Sequence, residues 1–234
     1  MSLEQDDGLG AFLEREAERC AASQAAYDAM VARRRACRAC AGLQNPSFVA
    51  DGAYDSTEIG PWSTWQSNLD APIVVVGQDF GDVAYFEKHC GADSASNRTN
   101  ANLVQLLGSI GINVGLPGSR DGRGDLFFTN AVLCLKGGGM QAKVRSEWFR
   151  ECGKRFLRAQ IELVRPKVVV GLGERAHNAV LVAFGLPSEP LKQAILSAGT
   201  RLPTGALAIG VFIAVRACQI SHATLMSNEM TGNG

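Results

Sequence analysis

The stretch Ile73-Val74-Val75-Val76-Gly77-Gln78-Asp79-Phe80-Gly81-Asp82 decides the reading of the fold. Four apolar, β-branched residues in a row, without alternation, mark a strand covered on both faces. The glycines, amide and carboxylates that follow at once stand where such a strand ends. Comparable runs lie at Leu126–Val132, Val168–Leu172 and 211–215, and helix-like stretches at 102–110, 145–164, 174–184 and 189–197. Strands separated by helices imply parallel crossovers, so the expected fold is α/β: a three-layer α/β/α sandwich with a central four-stranded parallel sheet. Ahead of it, Leu13, Ala17, Cys20, Ala25, Met30 and Val31 at helical spacing predict an amphipathic helix over 9–36. The chain thus divides into an N-terminal helical segment, 1–36, and a single domain, 37–234. Residues 46–71 read as a long ordered loop anchored by Trp62 and Trp65.

Composition narrows the function classes. The 234 residues are 46% hydrophobic and 20% charged, which sets aside fibrous and disordered readings. Lys plus Arg number 23 and Asp plus Glu 23, so a strongly basic, non-specific nucleic-acid binder is disfavoured while a local basic patch is not. The acidic start resembles neither a secretory signal nor a transit peptide, and no apolar run reaches membrane-spanning length. A cytoplasmic monomer with no membrane contact is the expectation.

The seven cysteines are odd in number and do not suggest a disulfide framework. Cys37 and Cys40 form a C-x2-C pair, Cys134 follows the second strand and Cys152 lies in the next helix. Four thiolates suit tetrahedral zinc or an iron-sulfur cluster equally, and Cys134 and Cys152 could instead be small buried hydrophobes. In a doubly wound sheet the ligand lies beyond the carboxyl ends of the strands. There the sequence places Asp79, the amide of Asn130 and, after the last strand, His222. A carboxylate can position water or stabilise a growing cation, and an amide matches the donor-acceptor edge of a pyrimidine. The plainer alternatives are an Asp79 or Asp82 helix cap and an Asn130 turn.

Taken in order, these strings resemble the uracil-DNA glycosylase superfamily, nearest its iron-sulfur branch, over roughly residues 37–226. Gly77-Gln78-Asp79-Phe80-Gly81-Asp82 looks like that superfamily's first motif in hybrid form. Its Gln-Asp is similar to the best-known uracil enzymes and its Gly81 to the iron-sulfur members. Phe128-Thr129-Asn130-Ala131-Val132-Leu133-Cys134 resembles the strand that carries a base-reading Asn followed by a cluster cysteine, and the strand at 164–173 is also similar. Ser221-His222-Ala223-Thr224-Leu225-Met226 looks like the second motif.

The resemblance implies a structural 4Fe-4S cluster on Cys37, Cys40, Cys134 and Cys152. It also implies removal of uracil from single- or double-stranded DNA, with Asp79 and His222 catalytic. Gly77, Gln78, Phe80, Gly81 and Asn130 would surround the base, and Leu225 or Met226 would wedge into the stack. Gly81 stands where the best-known enzymes carry a bulky residue that excludes thymine's methyl, which implies a broader base range. Asn97-Arg98-Thr99-Asn100 occupies the stretch where iron-sulfur relatives carry a stacking Phe, so Phe80, Tyr85 and Phe86 become the candidate stackers. DNA phosphates are expected at Arg33, Arg34, Arg35 and Arg38, and at Lys136 and Lys143 around Gly137-Gly138-Gly139. A binding module for damaged or product DNA and an iron-sulfur redox sensor are the competing readings.

Overall fold

The valine run forms the hub of the sheet. In chain order the elements are α1 (Asp6–Ala36), β1 (Leu43–Gln44), β2 (Ile73–Asp79), α2 (Val83–Lys88), α3 (Arg98–Ser109), β3 (Leu126–Val132), β4 (Leu135–Lys136), α4 (Ser146–Cys152), α5 (Arg158–Val164), β5 (Val168–Leu172), α6 (Glu174–Ala183), α7 (Leu191–Leu196), β6 (Thr200–Arg201) and β7 (Leu207–Val211). This computed structural model describes residues 6–60, 68–92, 97–114 and 126–212.

The main sheet has the order β3-β2-β5-β7-β6. Strands β3, β2, β5 and β7 run parallel, and β6 pairs antiparallel to β7 at the edge. Flanked on both sides, Val74, Val75 and Val76 are fully buried, each worth roughly 1.5–3 kcal/mol. Side chains alternate across the sheet. Val74, Val76, Phe127 and Val169 meet Tyr27, Met30 and Val31 of α1, Ile161 of α5 and Val180 of α6 on one face. Val75, Leu126 and Phe128 meet Leu103 and Leu107 of α3 on the other. The three-layer α/β/α architecture follows.

Three details depart from the sequence expectation. The sheet has five strands because β6, two residues long, is too short to carry a pattern; a tight turn with Gly205 at φ +89° folds it back onto β7. The last parallel strand among the described residues is Leu207–Val211, so it begins ahead of the β-branched run at 211–215, of which 213–215 lie outside the described residues. Small residues decide this: a Cβ at Gly210 would lie 2.9 Å from Leu191 Cδ1 and 3.1 Å from His177 Cγ, so glycine is what lets α6 and α7 close on the sheet. Finally, Leu13, Ala17, Cys20 and Ala25 of α1 are exposed, and only Tyr27, Met30, Val31 and Arg34 near its end are buried. The helix expected at 145–164 is continuous but contains a π-helical turn, Gly153–Leu157, directly after Cys152.

Arg34 is fully buried and pairs with Asp55 at 2.7 Å. It also donates to the carbonyls of Ser56 and Glu58, while the Ser47 hydroxyl and exposed Arg35 complete the Asp55 carboxylate. This network ties the loop after β1 to α1. It also removes Arg34 from the cations expected to meet DNA. Arg34→Met leaves Asp55 largely uncompensated and is expected to cost about 3–5 kcal/mol in urea unfolding. Exposed Arg33→Met should stay within about 0.5 kcal/mol of the parent; equal costs would show that the pair contributes nothing.

Candidate active site

The chain leaves β2 for β3 on one side and later returns to place β5 on the other. That reversal opens a crevice at the carboxyl end of β2, the ligand position in sheets of this kind. Gly77 pairs in register with Asn130 and Asp79 with Val132, so strand alternation puts Gly77, Asp79 and Asn130 on the α3 face. Asn130 is 4% exposed, and its amide lies directly over Gly77. A methyl at Gly77 would overlap Asn130 Oδ1 and stand 3.2 Å from its Cγ. An amide offers both a donor and an acceptor on one planar group.

Asp79 is held by three donors. Its Oδ1 accepts the Gly81 N–H at 2.8 Å and the Lys136 ammonium at 3.0 Å, and its Oδ2 accepts Gln78 Nε2 at 2.7 Å. Gly81 sits at φ +92°, a conformation open to glycine, so its residue type is required by the turn itself. The helix cap is Asp82, whose Oδ1 accepts the Tyr85 N–H at 2.7 Å at the start of α2. Of the two aspartates, Asp82 therefore takes the capping role, and Asp79 does not.

Lys136 is the residue that sequence reasoning misplaced. Its side chain is 6% exposed and paired with Asp79, not free for phosphate. Its N–H also donates to Gly81 O at 3.1 Å. No local signal could have shown this, because the partners are far apart in the chain and the glycines after Lys136 suggest a phosphate loop. Gly137, Gly138, Gly139 and Lys143 do remain exposed. The stacking candidates are also revised: Phe80 and Phe86 lie in the core, 1% and 0% exposed, so their rings pack there and offer no face to a base. Tyr85 is half-buried, its ring 4.3 Å from that of His89. Trp148 is buried and donates to Ala41 O. His222, Leu225, Met226, Trp62 and Trp65 lie outside the described residues.

A second site lies beside the first. Cys37, Cys40, Cys134 and Cys152 line one cavity of about 250 Å³, together with Arg34, Arg38, Asn45 and Arg155. Burial pushes the Cys134 thiol up to about 12, with further raising by Cys37 and Cys40. Burial also raises Cys152, then Cys134 adds to it, against the Leu133 N–H that donates to its Sγ at 3.4 Å. Cys40 is raised chiefly by burial and next by Cys37. The four sulfurs thus feel one another. Among the described residues no three Cys, His, Asp or Glu side chains gather as the ligands of one metal ion. A mononuclear zinc needs all its sulfurs about 2.3 Å from one point, whereas a cluster takes one thiolate per iron and a wider set. The donor chemistry and the shared cavity fit a cluster.

A buried carboxylate and a buried amide thus share one face at the strand ends of a doubly wound sheet. The sequence model of the uracil DNA glycosylase superfamily matches residues 64–215, and the chain belongs to that superfamily. A Type-5 uracil-DNA glycosylase of Pyrobaculum aerophilum is 28% identical over 156 residues, covering 64% of this chain. The chain spans 65% of the length of that curated relative. Gly77→Ala is expected to shift the Asn130 side-chain amide resonances and to cost about 1–3 kcal/mol. Unchanged resonances would show that the amide is not seated over the glycine.

Proposed function

We propose that this protein is a monofunctional DNA glycosylase that flips deoxyuridine out of DNA and hydrolyses its N-glycosidic bond. The observation that carries this reading is Asn130, 4% exposed, with its amide lying over Gly77, two residues before Asp79 on the neighbouring strand. An amide can read uracil N3–H and O4 together, whereas cytosine presents the opposite pattern. As the N1–C1′ bond breaks, its electron pair leaves with uracil and positive charge grows on the sugar. Asp79 faces that charge and holds the water that adds to C1′; the proton this water loses ends on the uracil anion, giving free uracil and an abasic site. With both Oδ1 lone pairs engaged, Oδ2 is the atom left to hold the water.

His222 would donate to the O2 of the departing anion, and Leu225 or Met226 would fill the vacated stack. Gln78 and Gly81 act on this reading by fixing Asp79. Cys37, Cys40, Cys134 and Cys152 would hold a 4Fe-4S cluster whose contribution is structural. Single- or double-stranded DNA, a monomeric state and a cytoplasmic, nucleoid-associated location complete the proposal. Among the described residues no helix is long and apolar enough to cross a membrane.

The test is alkali-revealed cleavage of a single-uracil oligonucleotide, single-stranded and opposite guanine. Wild-type protein should cleave, and Asp79→Asn should be slower by roughly 100- to 1,000-fold. Binding without cleavage by either protein would make this a damaged-DNA binding module. The cluster has its own assay: iron and acid-labile sulfide should be present in equal amounts, lost in Cys152→Ser and retained in exposed Cys20→Ser. Zinc in their place would overturn the cluster assignment.

A further inference from the structure

We infer that Lys136 is a positioning residue for Asp79, acting through that carboxylate and not through DNA phosphate. The inference rests on the glycosylase reading and deepens it.

Lys136 Nζ stands 3.0 Å from Asp79 Oδ1, with both side chains less than a tenth exposed. A buried ammonium without a counter-charge is costly, so this lysine is committed to the carboxylate. Its backbone is fixed independently. The Lys136 N–H donates to Gly81 O, Asp82 forms a parallel bridge with Lys136, and β4 pairs antiparallel with β1, Leu43 opposite Lys136. The strand therefore delivers the ammonium from a rigid edge to the same oxygen that takes the Gly81 N–H.

Three donors, from Lys136, Gly81 and Gln78, arrive from three directions and leave the carboxylate one orientation, with its open lone pair on Oδ2. Without the ammonium, Oδ1 regains a lone pair and the carboxylate can rotate or draw water to the wrong oxygen. Misplacement of about 1 Å is enough to cost about 100-fold in rate. The cation also balances the buried carboxylate before DNA arrives. Lys136 is therefore expected to affect the chemical step and not the grip on DNA.

The experiment is single-turnover uracil excision by wild type, Lys136→Met, Lys136→Arg, Asp79→Asn and the Asp79→Asn, Lys136→Met double variant, with folding followed by circular dichroism. Lys136→Met should lower the maximal rate roughly 100-fold, with half-saturation by DNA changed less than about twofold and its salt dependence unaltered. Lys136→Arg should recover at least a tenth of the wild-type rate. The double variant should be no slower than Asp79→Asn alone, the full non-additivity expected of residues acting as one unit.

Weakened half-saturation with a shallower salt slope and an unchanged rate would make Lys136 a phosphate contact and overturn the inference. So would losses that multiply in the double variant. Should Lys136→Met fail to fold, the double variant, which lacks both charges, decides against Asp79→Asn, and Lys136→Arg decides against wild type. No excision by wild-type protein would overturn the glycosylase reading and this inference with it, a result distinct from a wild type that cleaves beside an equally fast Lys136→Met.

Discussion

The parallel register of β2 against β3 is the constraint on which the rest of the site depends. It sets Gly77 opposite Asn130, and the absent side chain at Gly77 is the space that the amide fills. Because strand alternation has a period of two, the same register sends Asp79 to the same face as Gly77. A slip of one residue would send both β2 residues to the face filled by Val74 and Val76, where α1, α5 and α6 are packed. The buried valines that fasten this register thus hold the chemistry in place too. Stability and site geometry here come from the same residues.

A smaller pairing joins this centre to the cysteines. The chain passes from Cys37 and Cys40 directly into β1, and from Cys134 directly into β4; these two short strands pair with each other, and Lys136 of β4 is also bridged to Asp82. Two strands of two residues have little stability alone. They are held because Trp148 donates to Ala41 O and because Leu135 and Lys136 are buried. Lys136, at the end of β4, stands against Asp79. A structural role for the cysteine cavity therefore need not be remote from the active centre, since one strand separates them. The π-helical turn directly after Cys152 belongs to the same region, setting the phase of α5 relative to α4.

What the sequence made legible follows from where the information is local. Unbroken runs such as 73–76 and 126–132 disclose strands because burial on both faces leaves a compositional trace. The β7 boundary was hidden because Ala208 and Gly210 have weak strand preference but the size that α6 and α7 require. The motif order pointed to Asp79 and Asn130, which the register brings to one face, while the capping role of Asp82 and the turn held by Gly81 required backbone angles. Lys136 and Arg34 were illegible for a different reason. Each looks like a surface cation in its own neighbourhood, and each is paired with a carboxylate that only the folded chain brings near.

Those two pairs bear on how a chain of net charge +0 meets DNA. Burying Arg34 with Asp55 and Lys136 with Asp79 withdraws equal numbers of each sign, so the surface balance is unchanged while its distribution is not. The exposed cations that line the cysteine cavity are Arg38 and Arg155, with Arg38 lying over the exposed ring of Phe48 at 3.7 Å. Beyond β4 the exposed Gly137, Gly138 and Gly139 offer unshielded backbone amides. A phosphate held by amides needs no net positive charge on the protein, only N–H groups that converge. Two of those glycines hold φ near +90°, a conformation that can turn successive amides toward one side. Attraction to DNA can then be local and short in range while the buried ions serve geometry alone.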